Sequence, residues 1–160
     1  MKKVNESNEI AKLHLQLIKL HDELRLQKKN QWNRVLPFDE LVFDRWEKAE
    51  FLKTGKNTNA YHNSYIYGDV KIGKNCWVGP YTLLDGTGGI KIGDNCTISS
   101  GVHVYSHDTV KRTLTGGKLK REIKSVTIGN NCYIGPYSII TKGVTIGKKS
   151  IIGAHSLVNS

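Results

Sequence analysis

Cysteine, proline, methionine and acidic side chains are all scarce in this chain. Its 160 residues hold 3 Cys, 3 Pro, 1 Met and 14 Asp plus Glu, against 24 Lys plus Arg. Cys76, Cys96 and Cys132 cannot pair completely and no Cys-x-x-Cys occurs, which argues against a disulfide framework and a cysteine zinc site. Long apolar runs are missing too. After Met1-Lys2-Lys3 the chain is interrupted by polar residues every few positions, so it has neither the core of a secretion signal nor a membrane span. The expected compartment is the cytoplasm. Hydrophobic residues make up only 38%, yet Val and Ile are plentiful and regularly spaced, so the low value reflects architecture rather than disorder.

The shortage of acid leaves a formal net charge of +10. Residues 1–58 carry 12 basic and 9 acidic side chains, residues 59–160 carry 12 and 5, and much of the second excess sits in one segment with Lys111, Arg112, Lys118, Lys120, Arg121 and Lys124. Such a patch suits phosphate groups, and by default it is a solvated loop. No helix-turn-helix, finger spacing or aromatic RNA-binding signature accompanies it, so nucleic acid is not among the expected partners.

Two helices are predicted before residue 59. From residue 5 to about 30, Ile10, Leu13, Leu17, Leu20 and Leu24 recur at steps of three and four, the spacing of an amphipathic helix. Gln27 breaks the next step, so this helix is expected to dock on its own domain or on a neighbouring subunit rather than form a free coiled coil. A second helix is expected over 38–52, after Pro37 and ending near Gly55.

From Ile66 the period is six. Aliphatic residues fall at Ile66, Ile72, Val78 and Leu84, at Ile92, Ile98 and Val104 after a two-residue slip, and at Ile128, Ile134, Ile140, Ile146, Ile152 and Val158. Seven of these thirteen are followed by Gly, and most have a small or β-branched residue two positions before them. Neither a strand period of two nor a helix period of 3.6 holds this pattern. Taken in threes, the hexads describe a coil of three short strands whose aliphatic residues point inward. Glycine serves the turns, and the small residue fits the corner. Cys76, Cys96, Cys132 and Ser150 share one column, which makes the thiols packing residues. The register breaks twice, at the glycine-rich Asp85-Gly86-Thr87-Gly88-Gly89 and in the 24 residues from Val104 to Ile128, where six would suffice. The second break predicts a loop over 107–125 extruded sideways, and the basic patch lies on it.

The repeat, as in Ile72-Gly73-Lys74-Asn75-Cys76-Trp77 and Ile128-Gly129-Asn130-Asn131-Cys132-Tyr133, resembles the hexapeptide-repeat acyltransferases over residues 61–160. That family implies a left-handed parallel β-helix, here a mostly β domain over 59–160 with an N-terminal helical cap over 1–58. The segments Leu83 to Cys96 and Gly101 to Asp108 are similar to the sugar O-acetyltransferase branch, which includes the maltose and galactoside acetyltransferases. The branch implies acetyl-CoA as acyl donor, no metal, and a histidine at the start of the extruded loop, in a cleft between subunits of a homotrimer. The matching residue is His107, with Asp85 and Tyr105 on the acceptor side and Tyr133, Pro136, Ala154, Lys111 and Arg112 toward the CoA. Pro136 departs from the pattern: its position normally turns a backbone N–H to the thioester, and proline has none. The equivalent one coil later, Ala154, retains one. The chain also stops at Ser160, where relatives continue into a tail over the CoA site.

Physical reasoning supports the histidine. A sugar hydroxyl attacking a thioester must lose its proton, and imidazole titrates near neutrality. His107 stands where the chain leaves the coil and so projects outward. The expected reaction is O-acetylation of a sugar hydroxyl, in a glycan, nucleotide sugar or lipopolysaccharide or capsule precursor. Three alternatives remain: N-acetylation of a nucleotide-linked amino sugar, a carbonic-anhydrase-like metal enzyme using His103 and His107 with a third histidine across an interface, and a non-enzymatic solenoid scaffold, which would need a flat outward ladder of one residue type that the mixed outward residues do not provide. The helix over 38–52 is expected to cap the first coil through Phe43, Trp46 and Phe51, because an uncovered coil leaves unpaired N–H and C=O groups.

Overall fold

The computed structural model describes residues 2–159, with side chains from Asn8 onward. Contacts divide the chain into two compact units, Met1–Asp44 and Arg45–Ser160.

The first unit holds α1 (Lys2–Trp32) and α2 (Phe38–Val42), which pack on each other. His21 and Phe38 meet at 5.9 Å between ring centroids, beside Leu17 and Ile18. The leucine stripe makes a long helix but is not buried: Ile10, Leu13, Leu17 and Leu20 are 42–69% exposed. The helix expected over 38–52 is broken, because Phe43 takes an extended conformation with φ −111° and ψ 157°. Its second half, α3 (Arg45–Phe51), belongs to the other unit.

That second unit is a parallel β-solenoid. Its strands are β1 (Asn59–Ala60), β2 (Tyr65–Ile72), β3 (Trp77–Val78), β4 (Leu83–Ile92), β5 (Thr97–Ile98), β6 (His103–Tyr105) and β7 (His107–Asp108). After α4 (Val110–Leu114) come β8 (Glu122–Ile123), β9 (Val126–Ile128), β10 (Tyr133–Ile134), β11 (Ile139–Ile140), β12 (Thr145–Ile146), β13 (Ile151–Ile152) and β14 (Leu157–Val158). One face stacks β1-β3-β5-β10-β13 in parallel register. A second stacks the starts of β2 and β4 on β6, β11 and β14, and a third stacks their ends on β9 and β12. The long β2 and β4 turn the corner between these two faces.

Inward aliphatic residues of the hexads form the core: Ile72, Val78, Leu84, Ile92, Ile98, Val104, Ile128, Ile134, Ile140 and Ile146 are all buried. Burying a side chain of this kind stabilises the fold by about 1.5–3 kcal/mol before the entropic cost of ordering. The glycine after the aliphatic residue has a different reason from the one its position suggested. Left-handed φ of 55–62° is taken at Asn75, Asn95, Asn131 and Lys149, two residues further on. Asn tolerates that region better than most residues. The glycine is required by close approach: a Cβ on Gly129 would lie 2.7 Å from the Lys148 backbone nitrogen of the next coil.

The cysteine column is polar in use. The Cys76, Cys96 and Cys132 thiols donate to the carbonyls of Gly93, Gly129 and Gly147 on the following coil, at 3.1, 3.1 and 3.0 Å. Thr58 continues the column, donating to the Gly73 carbonyl at 2.6 Å. Burial pushes the Cys96 thiol up to about 11 and raises that of Cys76, so neither is a nucleophile at neutral pH.

The first coil is covered through a different set of side chains from the aromatic one. Phe51 is 82% exposed, whereas Ala49 is buried in α3, which packs on β1. Lys48 Nζ donates to the carbonyls of Tyr61, His62 and Ser64 at 2.8, 3.0 and 2.8 Å. One ammonium thus satisfies three acceptors in the first coil. Arg45 adds a hydrogen bond to Tyr61 Oη at 2.8 Å while its guanidinium lies over the Trp46 ring.

Candidate active site

The site is built at the corner between the second and third faces, where both register breaks fall. At the glycine-rich break β4 turns the corner with a bulge, its register to β2 shifting between Gly68 and Val70, and just before it Asp85 faces Tyr105 of β6 and Tyr67 of β2 in register. One coil on, the chain leaves the solenoid. The expected loop is an ordered excursion: β7 pairs antiparallel with β8, His107 opposite Ile123 and Asp108 opposite Glu122, with α4 between them. Gly88 lets this hairpin sit down, since a Cβ there would come within 2.5 Å of Ile123 Cγ2 and 2.6 Å of the Ser106 carbonyl.

His107 and Asp85 meet here. His107 Nδ1 lies 3.3 Å from Asp85 Oδ2, with side chains 21% and 14% exposed. Nδ1 is buried and lacks an aligned hydrogen bond, so a small rotation of either group completes one. With Nδ1 directed at a carboxylate, Nε2 is the nitrogen left for a substrate. Asp85 is itself held: Oδ1 accepts from the Thr87 N–H at 3.0 Å and the Thr87 hydroxyl at 2.6 Å. Burial would raise its carboxyl, but the Thr87 bonds, with the charges of His107 and Arg121, outweigh this and keep it below its usual value. Beneath the pair, the fully buried Ser106 Oγ donates to the Asp85 carbonyl at 2.6 Å and accepts from the Gly88 N–H at 2.7 Å, tying the two breaks together.

Around the pair, Tyr105 Oη meets His103 Nδ1 at 3.2 Å, the rings edge to face. The two form a polar, aromatic outer wall beside Asp85. The base of the hairpin carries an ion-pair chain: Lys142 contacts Asp108 and, at 3.3 Å, Glu122, which also accepts from Lys111 at 2.7 Å.

Of the residues assigned to the CoA, Lys111 and Arg112 lie on α4 of the His107 hairpin, whereas Tyr133, Pro136 and Ala154 lie elsewhere on the solenoid. Tyr133 faces outward from β10 on the first face, opposite Ile151. Pro136 and Ala154 stand in the corner that follows, where the Pro136 carbonyl accepts the His155 N–H at 2.8 Å and Tyr137 stacks on His155 at 5.3 Å. Lys111 is committed to Glu122, while Arg112, beside it on α4, is exposed. Thr87, Ser106 and Lys142 were not singled out from the sequence. Thr87 could have been, because Asp-x-Thr is the spacing at which an aspartate accepts bonds from the residue two ahead. Ser106 and Lys142 carry no local signal. Among the described residues no group of three His, Cys, Asp or Glu side chains is placed to hold a metal ion, and no helix is long and apolar enough to cross a membrane.

Comparison with known proteins agrees with this architecture. Residues 69–106 match the hexapeptide repeat of succinyl-transferase, and residues 125–160 match the bacterial transferase hexapeptide (six repeats). Among solved structures the chain is similar to AntD, an N-acyltransferase from Bacillus cereus, in complex with dTDP and 3-hydroxybutyryl-CoA: 25% identity, TM-score 0.58, covering 74% of this chain and 79% of that one. A variant of the same protein in complex with dTDP and coenzyme A matches at 26% identity and TM-score 0.59, covering 73% and 79%. The hexapeptide-repeat acetyltransferase VCA0836 from Vibrio cholerae shares the fold at 22% identity and TM-score 0.51, covering 95% and 82%.

Proposed function

We propose that this chain, which carries the transferase hexapeptide repeat over residues 69–106 and 125–160 and is similar to an acyltransferase in complex with a CoA thioester, transfers an acetyl group from acetyl-CoA to a hydroxyl of a sugar, with His107 as general base. The observation that carries this reading is the buried approach of His107 Nδ1 to Asp85 Oδ2, at 3.3 Å, where the hairpin leaves the solenoid. Asp85 holds the imidazole in the tautomer with its proton on Nδ1, which leaves Nε2 basic. The acceptor oxygen attacks the thioester carbonyl carbon as its proton passes to Nε2. The carbon–sulfur bond then breaks, and the CoA thiolate leaves with the proton returned by the imidazolium. No covalent acyl-enzyme is needed: all three thiols are buried, and desolvation raises those of Cys76 and Cys96.

A second reading, N-acylation of a nucleotide-linked amino sugar, is favoured by the likeness to AntD, an N-acyltransferase with dTDP bound. The two differ in the bond formed. Purified protein with acetyl-CoA is offered methyl glucoside, N-acetylglucosamine, UDP-galactose, glucosamine and a dTDP-linked 4-amino sugar. Free CoA is followed, and products are treated with mild alkali. An alkali-labile acetyl product on a hydroxyl sugar is expected. Alkali-stable product confined to the amino sugars would replace the first reading with the second, and no CoA release with any acceptor would count against both.

A further inference from the structure

The hairpin that carries His107 has two sides, and something holds each. Side chains of a strand alternate across its plane, so His107 and Ile123 lie on one side of the β7–β8 ribbon and Asp108 and Glu122 on the other. The first side meets the solenoid at Asp85 and Gly88. On the second, one ammonium touches both carboxylates. Lys142, from the Thr141-Lys142-Gly143 corner of the following coil, contacts Asp108 Oδ2 and lies 3.3 Å from Glu122 Oε2, with its own side chain only 20% exposed. The hairpin rests on that same corner, since Lys124, just past β8, lies within 3.1 Å of the position of a Cβ on Gly143.

We propose that Lys142 is a positioning residue for the acyl-transfer step, clamping both strands of the hairpin from behind so that the His107 imidazole is held against Asp85. This rests on the assignment of His107 as the general base. Asp108 is the next residue after His107, so fixing its carboxylate restrains the backbone beside the histidine. Glu122 also accepts from Lys111 of α4 at 2.7 Å, a bond internal to the hairpin, so Lys142 is the group that ties the carboxylates of both strands to the solenoid corner. Two strands of two residues each have few ladder bonds of their own and no core. A displacement of about 1 Å at a catalytic group can cost on the order of a hundredfold in rate, so a clamp this close to the base acts on turnover more than on affinity.

The test is a double-mutant cycle between Lys142→Met and His107→Ala, with acetyl-CoA and the best acceptor of the panel above, read as free CoA. K142M is expected to lower kcat about tenfold or more while the acetyl-CoA KM stays within about threefold, and Lys142→Arg to restore most of it. In the H107A background K142M is expected to have almost no further effect, because a residue that acts through the histidine has nothing left to position. Amide exchange over 107–108 and 122–123 should quicken in K142M with the solenoid strands unchanged. Should K142M fail to fold, Asp108→Asn carries the same expectations. Full additivity with H107A, a change in KM alone, or kcat within twofold of the wild type would overturn the proposal. H107A with wild-type turnover would instead overturn the general-base assignment, and it is read from a different arm of the cycle.

Discussion

Asp85 and Tyr105 are direct register partners on adjacent coils, while His107, two residues beyond Tyr105, turns back to place Nδ1 3.3 Å from the Asp85 carboxylate. A residue two further along a regular strand would point away on the same outer face. The return is produced by the exit of the chain at Ser106, whose hydroxyl is bonded to the Asp85 carbonyl.

His107→Ala should therefore leave the solenoid and CoA affinity intact and reduce turnover by about 10²–10⁴, the contribution of a positioned general base. Asp85→Asn should fall in between and should affect the acceptor more than CoA. Steady-state kinetics of both variants checks this, and wild-type values for Asp85→Asn would remove the aspartate from the site.

The hairpin clamp has a predictable pH window. Hydrogen bonding to Lys142 and Lys111 holds the Asp108 and Glu122 carboxyls, respectively, below their ordinary values, and bonding to Asp108 raises the Lys142 ammonium above its own. Groups with depressed values contribute fully above the unfolded values of 3.8 and 4.5, and less as pH falls through the lower folded ones. The raised ammonium contributes fully below 10.5 and is lost as pH rises past its folded value. Exchange protection of residues 107–123 should be flat between about pH 5 and 10 and fall on both sides. A fall centred near neutrality would contradict the clamp.

All three thiols are buried and donate along the stack, so Ellman's reagent should find none of them in the native protein and all of them in denaturant. Cys96→Ser keeps a donor and copies Ser150 in the same column. Cys96→Val removes the donor and should cost about 1 kcal/mol more, the net worth of one hydrogen bond. Chemical denaturation of the pair gives the difference.

Gly129→Ala should be costly although its φ is ordinary, because the added methyl meets the Lys148 nitrogen at 2.7 Å and the Gly147 carbonyl carbon at 3.0 Å. Forcing neighbouring coils apart costs about 1–3 kcal/mol. Gly116→Ala, at a loop tip with φ +59° and open space around it, should cost only about 1 kcal/mol, so thermal melts of the two variants separate close approach from backbone strain.

Placement of Pro136 and Ala154 at a different corner from His107 leads us to expect a C3 trimer, in which a neighbouring subunit brings its Pro136 and Ala154 edge to the His107 corner. Sedimentation should give three subunits at micromolar concentration, and a fully active monomer would defeat the shared-site arrangement.

The hexad spacing was enough to read the solenoid, its inward residues and the exit point of the hairpin, because a six-residue repeat admits one stacking and each coil sees only its neighbours. The same regularity identified Cys76, Cys96 and Cys132 as structural, and a single break in it marked His107. What the spacing could not carry was anything set by contact between positions outside the repeat. The use of Lys48 to satisfy the first coil's carbonyls and the need for glycine at positions such as Gly129, which faces the backbone of Lys148, depend on neighbours distant in sequence. Asp85 was legible as a candidate. Its partner Thr87 was within reach of the Asp-x-Thr spacing, whereas Ser106 beneath the pair and Lys142 behind the hairpin were decided by tertiary structure alone. The repeat dictates which residues face inward; which outward side chains meet at a corner depends on how a non-repeating insertion folds back against it.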